Sequence, residues 1–121
     1  TDHAPHTLED KETTFDCASF GMIGLESAFG VVNKVLVKES GMELINLISL
    51  LTVNPRKIMG FDPDLFNKGA MAEITVIDID HEWIFDKNHI YSKSVNSPFI
   101  GKSLKGKIEF TISGNFCHCN K

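Results

Sequence analysis

The chain has 121 residues and a formal net charge of −4 at pH 7, which is enough for one small domain with a modest core. Its hydrophobic share of 42% and charged share of 23% are those of an ordinary globular protein. The acidic balance argues against nucleic acid as a partner, because phosphate binding needs clustered Lys and Arg. No apolar run approaches the roughly 20 residues of a membrane span, so we expect no membrane partner either.

The first sixty residues are predicted to be mainly helical after a polar loop over residues 7 to 20. Apolar residues at helical spacing predict a helix from Leu25 to Lys38 that is buried over more than half of its girth. A second apolar stripe predicts a helix from Met42 to Leu51. The Asn54-Pro55 pair predicts a short third helix, with Asn54 as its N-cap and Pro55 at its first position.

The pattern changes to strands after residue 60, which makes this the candidate boundary between a region 1–60 and a region 61–121. The run from Ile74 is rich in β-branched residues and predicts a central strand. The segment from Lys107 alternates cleanly, and Gly114-Asn115 marks a hairpin turn. The predicted strands are Ile74–Ile79, Trp83–Phe85, Lys107–Ile112 and Phe116–Cys119.

The opening segment Thr1-Asp2-His3-Ala4-Pro5-His6 places a carboxylate and two imidazoles within five positions. If Asp2 ends a strand, its carboxylate can bind a metal, act as general base, or do both. His6 could donate a hydrogen bond to an anionic substrate. The Asp-x-x-x-His spacing is also common in solvated loops, so a structural interpretation stays open at this point. Because nothing precedes this cluster to support it, we expect the chain to be the C-terminal piece of a larger protein.

Three cysteines, at positions 17, 117 and 119, have no spacing typical of a disulfide framework. Their odd number indicates a reducing compartment, and we expect a cytoplasmic protein. Cys117-His118-Cys119 could suggest a metal site, but in a strand the two cysteines face one way and His118 the other. The sequence has no second ligand pair of zinc-site spacing, so we interpret this tripeptide as a strand end.

Four segments, taken in order and at their separations, resemble the C-terminal portion of a dihydroorotase of the amidohydrolase superfamily. The opening hexapeptide, followed by Phe-Gly and Gly-Leu-Glu, is the specific part of this resemblance, whereas the Asn-Pro helix is shared across the superfamily. The resemblance covers essentially the whole chain. The four segments are Thr1–His6, Ser19–Glu26, Thr52–Gly60 and Ser92–Gly101.

The resemblance implies an α/β fold, namely the C-terminal fragment of a (β/α)₈ TIM barrel followed by part of a small β-sandwich domain. In that frame Thr1 and Asp2 end the eighth barrel strand, and residues 3 to 23 form the active-site loop at the C-terminal face. The helix from Leu25 to Lys38 would be the eighth helix. Residues 61–121 would be the C-terminal part of the small β-domain.

The resemblance also implies zinc-dependent, reversible hydrolysis of the cyclic amide of L-dihydroorotate to N-carbamoyl-L-aspartate in pyrimidine biosynthesis. A zinc-bound hydroxide attacks the ring carbonyl in this family, and the carboxylate matching Asp2 binds the metal and passes the proton to the leaving nitrogen. His6 matches a residue that contacts the substrate carboxylate. Phe20 and Gly21 match a loop whose backbone contacts the substrate. The remaining zinc ligands are expected upstream of Thr1, so the chain alone should be inactive. The full-length form is expected to be a homo-oligomer.

Two alternatives remain beside the dihydroorotase interpretation. One is another cyclic amidohydrolase of the dihydropyrimidinase or allantoinase type, against which Pro5-His6 and Phe20-Gly21 argue. The other is a noncatalytic dihydroorotase-like subunit that acts by association. The intact pair of Asp2 and His6 argues against loss of function at this end, but the upstream zinc ligands would decide the matter.

Overall fold

The computed structural model describes residues 1–64 and 66–119. Over these residues the chain forms short helices followed by one three-stranded antiparallel sheet, which makes it a small α/β unit. None of the helices in this part of the chain is long and apolar enough to cross a membrane. The elements are α1 (Leu8–Lys11), α2 (Leu25–Val32), a π-helix (Asn33–Glu39), α3 (Leu44–Leu51), α4 (Val53–Ile58), β1 (Glu73–Ile84), a 3₁₀-helix (Lys87–His89), β2 (Ser103–Ser113) and β3 (Phe116–Cys119).

The helix predicted from residue 25 to 38 is present, but its winding changes at Asn33. The first eight residues are α-helical, and the next seven form a π-helix with hydrogen bonds from residue i to i+5. Phe29 is buried in the core, whereas Leu25 at the same predicted stripe is 60% exposed. The apolar stripe of the sequence is therefore only partly buried among the described residues.

The helix predicted from Met42 begins at Leu44, and Leu47 on its apolar stripe is fully buried. The prediction that Asn54 caps the third helix is wrong. α4 begins at Val53, two residues before the predicted first helical residue Pro55, and Asn54 lies inside the helix. Thr52 occupies the N-cap position, but its hydroxyl donates a hydrogen bond to the Ile48 carbonyl of α3 at 2.7 Å. Thr52 is the one residue between the end of α3 at Leu51 and the start of α4 at Val53, so the cap position falls on Thr52 and not on Asn54.

The strands pair in the order β1-β2-β3, all antiparallel. The two strands predicted from Ile74 and from Trp83 are one strand, β1, with irregular pairing in its middle. The prediction of a central strand at Ile74 is wrong within the described residues, since β2 is central and β1 lies at an edge. The predicted hairpin at Gly114-Asn115 is confirmed, and Ser113 pairs with Phe116 across it.

Asn33 joins the helical half of the chain to the sheet. The pairing of β1 with β2 shifts register between residues 78 and 82, which frees backbone carbonyls from the ladder. The fully buried Asn33 side chain donates from Nδ2 to the Ile79 carbonyl at 3.0 Å and to the Lys105 carbonyl at 2.9 Å. One side-chain nitrogen thereby bonds a carbonyl on each strand at the irregular point, while the Asn33 Oδ1 is buried without a hydrogen-bond partner in the described part of the chain.

Candidate functional site

The opening segment is attached to the stretch just before α2. His3 and Met22 form a parallel β-bridge, and the Ala4 amide donates to the Met22 carbonyl at 2.9 Å. Asp2 has a φ of +48°, a left-handed conformation that Asp tolerates better than most residues. Asp2 therefore does not have the extended backbone expected of a strand end, and its side chain is exposed to solvent.

Gly21 is in close contact with the opening segment. Its φ is +129°, and a Cβ built there would lie 2.7 Å from Ala4 Cβ and 3.0 Å from His6 Nε2. Contacts this short exclude any side chain, so only glycine fits. The structure thus brings together His6 and Gly21, two of the three residues predicted to bind substrate. The close approach to Gly21 is made by residues of the opening segment.

Two side chains from other parts of the chain hold the Gly21 carbonyl. Lys11 Nζ donates to it at 3.1 Å and also donates to the Ser19 carbonyl, while Asn96 Nδ2 donates to it at 2.8 Å. A carbonyl oxygen has two lone pairs, so these two bonds fill its capacity. The adjacent Phe20 side chain is 90% exposed. The loop is therefore fixed at its backbone and open to solvent at its aromatic side chain.

His3 begins a chain of hydrogen bonds that leads away from the opening segment. Its Nδ1 accepts from the backbone amides of Gly24 and Leu25 at 3.1 and 3.4 Å. Its Nε2 lies 3.4 Å from Ser92 Oγ, and Ser92 Oγ donates to Glu26 Oε1. The ring therefore connects the start of α2 to the segment after the 3₁₀-helix.

Glu26 accepts several hydrogen bonds at one carboxylate oxygen. The backbone amides of Tyr91 and Ser92 donate to Oε1 at 3.2 and 2.8 Å, besides the Ser92 hydroxyl. Burial alone raises the pKa of this carboxyl group, but the hydrogen bonds from Ser92 and Tyr91 outweigh it and hold the pKa below its ordinary value of 4.5. The other oxygen, Oε2, is buried and has no hydrogen-bond partner within the described part of the chain.

Sequence reasoning missed the roles of Lys11, Asn96, Glu26 and Ser92. Lys11 lies in a segment predicted to be loop, and an acidic residue such as Glu26 is favourable in the first turn of any helix, so neither residue stood out. A signal did exist, because three of the four lie inside the segments that carry the resemblance to dihydroorotases. Those three are Glu26, Ser92 and Asn96.

Within residues 1–64 and 66–119, no group of three or more His, Cys, Asp or Glu side chains could hold a metal ion. The residues present therefore do not fit a complete zinc site, and Asp2 would be a single ligand. The interpretation of Cys117-His118-Cys119 as a strand end is confirmed, since these residues lie in β3 with both cysteines exposed.

Comparison with known proteins gives the same family as the four segments, although no family model matches the chain. The chain is 46% identical over 114 residues to the dihydroorotase of Elusimicrobium minutum, which covers 94% of the chain. It is 47% identical over 107 residues to that of Chlorobaculum tepidum, and 41% identical over 112 residues to that of a Thermoanaerobacter strain, covering 88% and 93% of the chain. The resemblance to dihydroorotases is confirmed.

The matches cover these dihydroorotases only in part. The aligned region is 26%, 24% and 26% of the three proteins, so the chain spans about a quarter of their length. Similarity to dihydroorotases is thus established for nearly all of this chain.

Proposed function

We propose that this chain supplies part of the active site of a zinc-dependent dihydroorotase, which interconverts L-dihydroorotate and N-carbamoyl-L-aspartate. The observation that carries the proposal is the 46% identity to a dihydroorotase over 94% of the chain. In this proposal residues 1–60 are the end of a (β/α)₈ barrel, with the active-site loop at its C-terminal face. Residues 61–121 are part of the small β-domain.

Asp2 is the proposed proton carrier. Its carboxylate takes a proton from the attacking water and delivers it to the ring nitrogen as the carbon–nitrogen bond breaks, so one group serves as base and then as acid. The exposed position of Asp2 leaves its carboxylate accessible to a substrate. Asp2 is also the one zinc ligand that this chain is proposed to offer, and the other ligands would come from outside residues 1–121.

His6, Phe20 and Gly21 are the proposed substrate-binding residues. The His6 imidazole would donate to the substrate carboxylate, and His6 Nε2 lies next to Gly21, 3.0 Å from the position that a Cβ would take there. Since the Gly21 carbonyl already accepts from Lys11 and Asn96, the contact with substrate falls to the Gly21 amide. The same two bonds hold the loop in one geometry before substrate arrives, which favours catalysis.

The test is a chimera in which this chain replaces the matching segment of the Elusimicrobium minutum dihydroorotase. We expect the chimera to hydrolyse dihydroorotate. Asp2→Asn should lower its kcat about 1,000-fold, because the amide cannot accept the proton. His6→Ala should mainly raise KM. Asp62→Asn is the matched control, since Asp62 is an exposed carboxylate outside the proposed active-site loop of residues 3 to 23, and it should leave both constants unchanged.

The outcomes separate the alternatives. An active chimera whose Asp2→Asn variant keeps near-normal turnover would refute the role of Asp2. A chimera that prefers dihydrouracil or allantoin to dihydroorotate would favour another cyclic amidohydrolase. A folded but inactive chimera, beside an active parent enzyme, would favour the noncatalytic subunit.

A further inference from the structure

We propose that His3, Ser92 and Glu26 form a positioning unit that fixes the segment carrying Asp2 and His6, a role that rests on the proposed function. None of the three is placed here in contact with substrate. They act through the backbone geometry of the opening segment.

The hydrogen bonds fix the tautomer of His3. Its Nδ1 receives two backbone N–H groups, from Gly24 and Leu25, and must therefore be the unprotonated nitrogen. The ring proton lies on Nε2, which donates to Ser92 Oγ. The Ser92 hydroxyl then donates to Glu26 Oε1. Every donor in the series meets an acceptor. If the hydrogen bonds ran in the opposite direction, Nδ1 would carry the ring proton and could not accept from the two backbone amides.

His3 also replaces a helix cap that the sequence of α2 lacks. Gly24 is the N-cap residue and has no side chain to bond the free amides at the start of the helix. His3 Nδ1 accepts from Gly24 itself and from Leu25, the first helical residue. The start of α2 and the opening segment are therefore held by one ring.

The unit connects three parts of the chain that are distant in sequence. Ser92 lies 89 positions from His3 and 66 positions from Glu26. His3 follows Asp2 directly, and Asp2 has a positive φ, a conformation that persists only where its surroundings hold it. Loss of the His3 bonds would release the residue next to the proposed proton carrier. Because small displacements of a reacting group can cost about 100-fold in rate, we expect an effect on turnover.

The first test uses the 121-residue chain and does not depend on activity. Nitrogen-15 NMR of the His3 ring should show an unprotonated Nδ1 and a protonated Nε2. His3→Ala should accelerate hydrogen exchange at the Gly24 and Leu25 amides. His81→Ala is the matched control, since His81 is exposed, and should leave both amides unchanged. A protonated Nδ1 in the folded chain, or unchanged exchange after His3→Ala, would overturn the proposed unit.

The second test uses the chimeric dihydroorotase. His3→Ala should lower kcat about 10- to 100-fold with little change in KM. Glu26→Ala should act in the same direction, whereas Glu26→Gln, which keeps an acceptor for Ser92, should retain most of the activity. An active chimera whose kcat is unaffected by His3→Ala would overturn the positioning role. A chimera without any activity would instead count against the proposed function, and the NMR result would still decide whether the unit exists.

Discussion

At the scale of single residues, Glu26 shows how two opposing effects set the charge of a half-buried carboxylate. Removing the group from water favours its neutral form, while three donors from Tyr91 and Ser92 favour the ionised form. The donors prevail, so its pKa lies below 4.5 in the folded chain. A carboxylate with a lowered pKa stabilises the folded state above its unfolded pKa and loses that contribution as the pH falls.

We therefore predict that Glu26 makes the chain sensitive to acid. Its stabilising contribution should be complete near neutrality and should disappear as the pH falls below about 4.5 and through the lowered folded pKa. The measurement is the thermal midpoint of the chain and of Glu26→Gln between pH 7 and pH 3. The native chain should be more stable at pH 7, and the two midpoints should converge in acid.

The pKa of Asp86 is also lowered, chiefly by a hydrogen bond from the Asn88 backbone, so Asp86 contributes to the acid sensitivity as well. Asp86 is present in both proteins, so the difference between their midpoints isolates Glu26. A constant difference from pH 7 to pH 3 would contradict the prediction.

Gly21 shows which part of the site was accessible to sequence reasoning. Gly21 was singled out by the resemblance, and its backbone is indeed closely approached by Ala4 and His6. The bond from Asn96 to the Gly21 carbonyl joins residues 75 positions apart, and no local pattern predicts such a pair. The roles of Asp2, His6, Phe20 and Gly21 in catalysis and binding stay predictions.

At the scale of elements, the change of winding at Asn33 could not be predicted from the helical periodicity. An apolar stripe assumes 3.6 residues per turn, whereas a π-helix has more residues per turn. The same spacing therefore places side chains on different faces in the two kinds of helix. The irregular pairing in β1 was equally invisible, because Asn33 reaches the Ile79 and Lys105 carbonyls across 46 and 72 positions. The helix and strand identities follow local patterns, whereas these joints depend on tertiary contacts.

Gly106 in β2 is predicted to be essential to the packing of α2 on the sheet. Its φ is +96°, and a Cβ there would lie 2.6 Å from Phe29 Cε1 and 2.9 Å from Asn33 Nδ2. Gly106→Ala should lower the free energy of unfolding by about 3 kcal/mol, through strain and displaced core groups. The measurement is urea unfolding followed by circular dichroism.

Gly41 provides the matched control for this substitution. Its φ is +74°, but a Cβ there would meet no atom within 4 Å. Gly41→Ala should therefore cost only the backbone strain, about 1 kcal/mol. Equal losses for the two variants would show that contact with Phe29 and Asn33 is not what requires glycine at position 106.

At the scale of the whole molecule, the predicted change from helices to strands near residue 60 is confirmed. The barrel and the sandwich came only from the resemblance, and the described residues form a three-stranded sheet with helices packed on it. The division into regions 1–60 and 61–121 stays a prediction. The bonds from Asn33 to both β1 and β2 show that the helical half and the sheet are packed together in this chain.

The helices α3 and α4 expose apolar side chains that a stable monomer would normally cover. Ile58 is 83% exposed, and Ile45, Leu50, Leu51 and Met59 are also exposed. Large apolar side chains left exposed on two consecutive helices promote association. We predict that the 121-residue chain self-associates as its concentration rises, and that Ile58→Lys shifts this association to higher concentration. Sedimentation velocity over a concentration series measures both effects.

Phe15→Lys is the control, because Phe15 is 93% exposed but lies in the loop after α1, away in sequence from α3 and α4. A strictly monomeric chain at every concentration, or equal effects of the two substitutions, would contradict the assignment of the associating surface to these helices.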